Sequence, residues 1–228
     1  MILENFHKSF NTGKVLRLLG AKPGKAVSPA AMRRVDLMAE EIQGMLKPQL
    51  SYRLLELLEV NQGGIMLSGG TCFKSRKLAK ALAKVEKVCC FVATVGPAVD
   101  MEIQRLMRRQ RFADAYVLDA MGSMGAENVV EQFYQRMARR QVERNGGVTL
   151  RFSPGYCDWP IQQQRPLFQL FDDMDLPVVS LNANCLMSPR KSVSGLFGLL
   201  PPGAQGAHPA YNPCHTCSRR DCIARRRN

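Results

Sequence analysis

Residues Val88 to Thr94, VCCFVAT, form an unbroken run with no charged or amide side chain to mark a solvent face. With no alternation to expose one side, the run reads as a central strand buried on both faces, which requires strand neighbours and cover above and below. Its adjacent thiols, Cys89 and Cys90, are packing groups in that reading. Thr94-Val95-Gly96-Pro97 closes the strand, and a helix is expected over about Ala98–Arg109. A longer helix is expected from about Ala113 to Glu143, with Val117, Ala120, Met124, Val130, Phe133 and Met137 among its apolar positions. Gly122 and Gly125 lie inside it. A mid-helix glycine costs about 1 kcal/mol, so a strand or ligand approaching closely is expected at these two positions.

The flanking elements follow from shorter signals. Phe6 to Leu19 is weakly amphipathic and reads as a short helix before a Gly20 and Pro23-Gly24 break. Ser28-Pro29 supplies an N-cap and a first-turn proline, and Met32, Val35, Met38, Ile42 and Met45 recur at helical spacing up to Pro48. This methionine stripe reads as adaptable core. Leu50–Val60 and Ile65–Ser68, joined by Asn61-Gln62-Gly63-Gly64, form an antiparallel hairpin. Gly69-Gly70-Thr71 precedes a helix over Lys74–Lys84 with Leu78, Ala79, Leu82 and Ala83 on one face. No Gly-Lys-Ser/Thr follows a strand there, which excludes a phosphate loop. Val148, Leu150 and Phe152 alternate as a half-buried strand that must stop at Ser153-Pro154. Beyond it come a helix over Ile161–Phe171, a strand over Pro177–Leu181 and a strand over Ser192–Leu200. Ser192, Ser194 and Gly195 either leave room beside a ligand or allow close sheet packing. Pro201-Pro202-Gly203 to Pro209 is a linker, which divides the chain into one domain over 1–200 and a Cys-rich basic tail over 201–228.

Composition narrows the setting. The 228 residues are 46% hydrophobic and 22% charged, ordinary for a globular chain, and no apolar run is long enough to span a bilayer. The N-terminus MILENFHKSF lacks the pattern of an export signal, so a cytoplasmic location is expected. Eight cysteines in a chain of this size read as reduced thiols or metal ligands and not as a disulfide framework. The net charge of +13, concentrated in Arg105–Arg111, Arg136–Arg144 and Arg219–Arg227, favours acidic partners. A nucleic acid, an acidic flavodoxin-like reductase and an acidic corrinoid-carrying protein all meet that description, and a dispersed basic surface is also compatible with mere solvation.

The densest chemistry lies in Arg151–Pro160, RFSPGYCDWP. Gly155 tolerates a positive φ or close backbone approach, and Arg151 offers a planar fork for a carboxylate or phosphate. The alternative is a strand end with a solvated arginine, where Tyr156 and Trp159 plug a small core. The run Arg151-x-Ser153-Pro154-Gly155-Tyr156, with Pro160 four residues on, resembles the Arg-x-x-Pro-Gly-Tyr signature of the activation domain of cobalamin-dependent methionine synthase. AMGSMGAENVVEQFYQRMARR, Ala120–Arg140, is similar to that family's long helix, and LNANCLMSPRKSVSG, Leu181–Gly195, to its Met-x-Pro…Ser-Val-Ser-Gly segment. The likeness covers roughly Leu82–Gly198.

The resemblance implies an α+β fold: a twisted antiparallel or mixed sheet flanked by long helices. It also implies binding of S-adenosylmethionine and support of reductive methylation, in which cob(II)alamin held on a partner becomes methylcobalamin. The implied ligand residues are Arg151 for the carboxylate, Pro154, Gly155 and Tyr156 in the turn, and Glu127 on the long helix for the ammonium or sulfonium. Glu131, one turn along, shares that face or makes salt bridges to Arg136 or Arg140. The implied partners are a corrinoid-carrying protein or methionine synthase modules, with a flavodoxin-like or other electron donor. The chain departs from the family in three places. The acidic residue of an N-terminal arm is not identifiable, Asn145 stands six residues before Arg151 where an acid is usual, and the Tyr-containing C-terminal segment is missing.

In place of that segment, Cys214, Cys217 and Cys222 have a C-x2-C-x4-C spacing suited to zinc or an iron–sulfur cluster. Such a site needs a fourth ligand, supplied by Cys157, Cys185, His208 or His215; three reduced thiols in a basic tail is the alternative. Two other functional readings stand beside the methyl-donor one. The first is a non-catalytic docking protein for a corrinoid protein. The second, a zinc-knuckle nucleic-acid binder, leaves the three internal resemblances unexplained.

Overall fold

The computed structural model describes residues 12–21, 26–173, 179–204, 211–220 and 222. In chain order the elements are α1 (Thr12–Leu18), α2 (Pro29–Gln43), β1 (Gln49–Asn61), β2 (Gly64–Leu67), β3 (Cys72–Lys74), α3 (Arg76–Leu82), β4 (Lys87–Thr94), α4 (Ala98–Arg108) and α5 (Phe112–Val142). Then follow β5 (Gly147–Val148), a 3-10 turn (Ile161–Gln163), α6 (Gln164–Gln169), β6 (Ser180–Leu181), β7 (Met187–Ser188) and β8 (Ser192–Leu200). The described residues form two compact units, one drawn from 1–51, 92–134 and 176–193, the other from 52–91, 135–175 and 194–228. Among the described residues no helix is long and apolar enough to cross a membrane.

The first unit is mainly helical. Ser28 caps α2 by accepting from the Ala31 amide at 3.2 Å, and Pro29 occupies the first turn, where its missing N–H costs nothing. Val35, Met38, Ile42 and then Leu46 are the buried stripe, whereas Met32 sits at its exposed margin. α4 buries Val99, Ile103 and Leu106 at helical spacing. Asp100 in its first turn accepts the Arg190 amide at 2.5 Å. Gly122 of α5 has a packing explanation. A Cβ there would lie 2.8 Å from Val99 and 3.0 Å from the Lys191 side chain. That lysine is buried, and its ammonium reaches Asp119 at 2.7 Å and Ser123 at 3.0 Å. β6 and β7 pair antiparallel, Ser180 opposite Ser188. Of the strand expected over Pro177–Leu181, Ser180 and Leu181 are strand, and 177–178 lie outside the described residues, as do 6–11 of the first expected helix.

The second unit carries most of a six-stranded sheet of order β3-β2-β1-β4-β8-β5. β1/β2, β2/β3 and β5/β8 pair antiparallel. In the β1–β2 turn the Asn61 carboxamide oxygen accepts the amides of Gly63 and Gly64 at 2.9 and 3.0 Å, the local bonding that makes Asn a turn residue. Interior strand β4 is buried from Val88 to Thr94, as its composition requires. In this unit its Phe91 packs against Phe197 of β8 with ring centroids 6.2 Å apart.

Three expectations are corrected here. The helix expected from Lys74 begins at Arg76, because Cys72–Lys74 form β3 and Ser75 caps α3 through the Leu78 amide at 3.0 Å. The strand expected over Val148–Phe152 is regular only at Gly147–Val148. Beyond it the Thr149 hydroxyl takes the Gly198 amide at 2.8 Å, a bond that a backbone carbonyl makes in a regular ladder. The helix expected over Ile161–Phe171 divides into a 3-10 turn and α6. An α-helix starting at Ile161 would need an N–H on Pro166, and starting at Gln164 puts that proline in the first turn.

Candidate functional site

The segment Arg151–Pro160 is anchored at its start by a two-way bridge. Phe152 donates to and accepts from Leu196 of β8, both at 2.8 Å. Opposite this bridge, Gly195 permits the contact. A Cβ there would stand 2.3 Å from the Phe152 carbonyl oxygen and 2.8 Å from the Ser153 hydroxyl. Of the two readings of this small-residue stretch, the one at Gly195 is therefore close packing: its space is filled by the loop's own backbone. Ser194 is buried beside it.

After Pro154 the chain turns. Gly155 has φ +88°, in the region that side-chain-bearing residues rarely adopt, and its amide donates to the Trp159 carbonyl at 2.8 Å. The Tyr156 amide reaches the Ser153 carbonyl at 3.3 Å, and the Trp159 amide reaches the Tyr156 carbonyl at 3.1 Å. Gly155 to Trp159 is thus a closed loop with its own hydrogen bonds. It presents Gly155, Tyr156, Cys157 and Asp158 to solvent, with Tyr156 55% exposed, while Pro154 and Trp159 are buried. Arg151 is half-buried at its base.

Three side chains beyond the apex, Asp158, Trp159 and Gln163, fasten this loop to β3 and α3. Trp159 packs edge-on against Phe73, centroids 5.1 Å apart. Its indole N–H donates to the Gln163 carboxamide oxygen at 3.0 Å. The same oxygen accepts the Lys74 amide at 2.7 Å, and the Gln163 NH2 donates to the Lys74 carbonyl at 3.1 Å. The Asp158 carboxylate accepts from the Ser75 hydroxyl at 2.5 Å and the Lys77 amide at 3.2 Å. It thereby adds a negative charge to the first turn of α3, where the helix leaves its amides unpaired.

The sequence-predicted residues are distributed as follows. Arg151, Pro154, Gly155 and Tyr156 share this one loop of the second unit, and Cys157 is at its exposed apex with φ +58°. Glu127 is an exposed residue of α5 within the first unit, and Glu131 on the same helix is half-buried. Cys214, Cys217 and Cys222 form no disulfide and are half-buried residues of the second unit. Nearby Asn212 accepts the Cys214 amide at 3.0 Å and its NH2 lies 3.3 Å from the His215 ring. Among the described residues no three His, Cys, Asp or Glu side chains group where a metal ion could be held; His208 lies outside them. Sequence reasoning assigned no role to Ser75, Asp158 or Gln163. Ser75 carried a signal, as a cap residue before a helix; Gln163 carried none, since its partner strand had not been foreseen.

The six-stranded sheet, the long helix and the shorter helical elements define an α+β fold. One solved structure that it resembles in fold is the reactivation domain of MetH, in a crystal structure bound to AdoHcy. The match has a TM-score of 0.58 and covers 85% of this chain and 71% of that one. At 15% identity the likeness is one of fold. No protein-family model matches the chain, and no curated protein matches its sequence.

Proposed function

We propose that this chain binds S-adenosylmethionine on the Arg151–Pro160 loop and serves as the activation component of a cobalamin-dependent methionine synthase or related corrinoid methyltransferase. The observation that carries the reading is the construction of the loop. The Arg-x-Ser-Pro-Gly-Tyr run is a closed, fastened turn in a chain that shares the fold of a domain crystallised with AdoHcy. The ligand's carboxylate calls for a planar cation, which Arg151 supplies; its adenine and ribose call for a rigid backbone and an exposed ring, which Gly155 and Tyr156 supply. Glu127 enters as the acceptor for the ammonium on the sequence pattern of its helix alone.

The chemistry asked of these residues is positioning. The sulfonium already activates its methyl group, so no general base is needed; the loop holds the ligand's amino-acid end and fixes the direction in which the methyl faces. The corrinoid, carried by a partner, supplies the methyl-accepting centre, and an external donor supplies the electron.

Calorimetric titration with S-adenosylmethionine tests the reading. Wild type gives a saturable heat, and Arg151→Ala weakens binding by about tenfold or more, the loss expected when a charge-assisted hydrogen-bonded pair is removed. Glu127→Gln probes the second contact in the same assay. A wild-type chain that gives no heat contradicts the proposal and leaves a docking module of the same fold.

A further inference from the structure

β3 is an edge strand, and the second unit contains a feature there that the ligand reading does not use. The amide and carbonyl of Lys74 are both taken by one side chain, the carboxamide of Gln163, at 2.7 and 3.1 Å. A primary carboxamide offers a donor and an acceptor side by side, as a peptide group does, so Gln163 pairs with the edge as one residue of a further strand would. Its oxygen has a second donor, the Trp159 indole at 3.0 Å. Trp159 in turn accepts the Gly155 amide on its carbonyl at 2.8 Å, and Gly155 holds the positive φ on which the turn depends. A continuous hydrogen-bonded chain therefore runs from the sheet edge through Gln163 and Trp159 to Gly155.

We propose that Gln163 is the positioning residue of the ligand loop: it fixes Gly155 and Tyr156 through Trp159 and sets affinity for S-adenosylmethionine without touching the ligand. The inference rests on the reading of Arg151–Pro160 as the ligand loop. The neighbouring Asp158–Ser75 bond, 2.5 Å, holds the apex but also caps α3, so loss of Asp158 acts on helix and loop together. Gln163 caps no helix through its side chain, which makes it the cleaner probe. The physical basis is pre-organisation: a loop already in its bound shape spends no binding energy on ordering.

The test uses the full chain, S-adenosylmethionine as the probe, and two variants. Gln163→Ala removes all three bonds. Gln163→Glu keeps an oxygen that accepts from both the Lys74 amide and the Trp159 indole, but sets its second carboxylate oxygen against the Lys74 carbonyl, so the donation to Lys74 is replaced by repulsion. Affinity is measured by calorimetry, and the state of the loop by the emission of Trp159, the chain's single tryptophan. Far-UV circular dichroism confirms that each variant is folded. Gln163→Ala is expected to weaken binding by about tenfold, with red-shifted emission and greater quenching by iodide. Gln163→Glu, which keeps the bond to the Trp159 indole and loses the two-way pairing with Lys74, is expected to lie between Gln163→Ala and wild type in both affinity and emission. A purely structural role predicts lowered thermal stability with unchanged affinity in the folded variants, and that result overturns the inference. Wild-type binding with equal affinity in Gln163→Ala overturns it alone. Failure of the wild type to bind overturns the ligand reading and this inference with it.

Discussion

Cys89 and Cys90 illustrate how burial decides the chemistry of a residue. Burial pushes both thiols well up from their ordinary range, and for Cys89 the neighbouring Cys90 adds to the effect. Neither yields the thiolate that reacts with electrophiles near neutral pH. Brief treatment of the native chain with iodoacetamide, followed by peptide mapping, should label exposed Cys72 and Cys157 and spare Cys89, Cys90 and Cys185. Labelling of Cys89 or Cys90 without unfolding would contradict the buried-strand assignment. Asp114 shows the opposite shift. Burial works against its ionisation, but the Arg111 and Arg34 guanidiniums, at 2.7 and 2.8 Å, outweigh this and hold the carboxyl below its usual range. A lowered folded value means that the unfolded chain takes up the proton first as pH falls. The stabilisation is thus present above the ordinary carboxylate pKa of about 4 and is lost as pH drops through the folded value. Denaturant midpoints measured from pH 7 to 3 should fall less for Asp114→Asn than for wild type. Equal slopes would mean that the pair contributes nothing.

At the scale of the element, the strongest constraint is backbone against backbone. At Gly195 an added Cβ meets the Phe152 carbonyl oxygen at 2.3 Å, and a carbonyl cannot swing aside as a side-chain end can. Gly195→Ala is expected to destabilise by about 2 kcal/mol, in the range of core overpacking. It should also disturb the Arg151–Pro160 loop, because Phe152 is where that segment bridges to β8. Denaturant titration checks the first effect, and a variant as stable as wild type would contradict it. Elements with a complete local signal were readable from sequence. The Val88–Thr94 run gave β4, Ser28-Pro29 gave the start of α2, and the Asn61–Gly64 connector gave the β1–β2 turn. Those that failed depended on partners distant in sequence. β3 is three residues long and exists because β2 pairs with it. Thr149 ended the regular part of β5 by using its hydroxyl in place of backbone, a choice invisible without Gly198 beside it. Pro166 was visible, and its effect on where α6 begins follows from bonding rules that a periodicity count does not contain.

For the whole molecule, the α+β architecture was legible because three separated segments, Ala120–Arg140, Arg151–Pro160 and Leu181–Gly195, resemble in order and spacing those of the methionine synthase activation domain, whose fold the chain shares. The candidate site was legible in part. Arg151, Pro154, Gly155 and Tyr156 came from one contiguous run, and the structure builds that run as a single loop. The clamp formed by Gln163, Asp158 and Ser75 was not legible, since it joins positions 83 and 89 residues apart in sequence through side-chain bonds that leave no periodic trace. The proposal that this loop holds a methyl donor is put to its sharpest test by equilibrium dialysis of radiolabelled S-adenosylmethionine against the full wild-type chain. Saturable retention approaching one ligand per chain, competed by unlabelled AdoHcy, is the expected result. Retention no greater than that of a protein-free chamber, at ligand concentrations up to about 1 mM where a weak site would still fill, would contradict it.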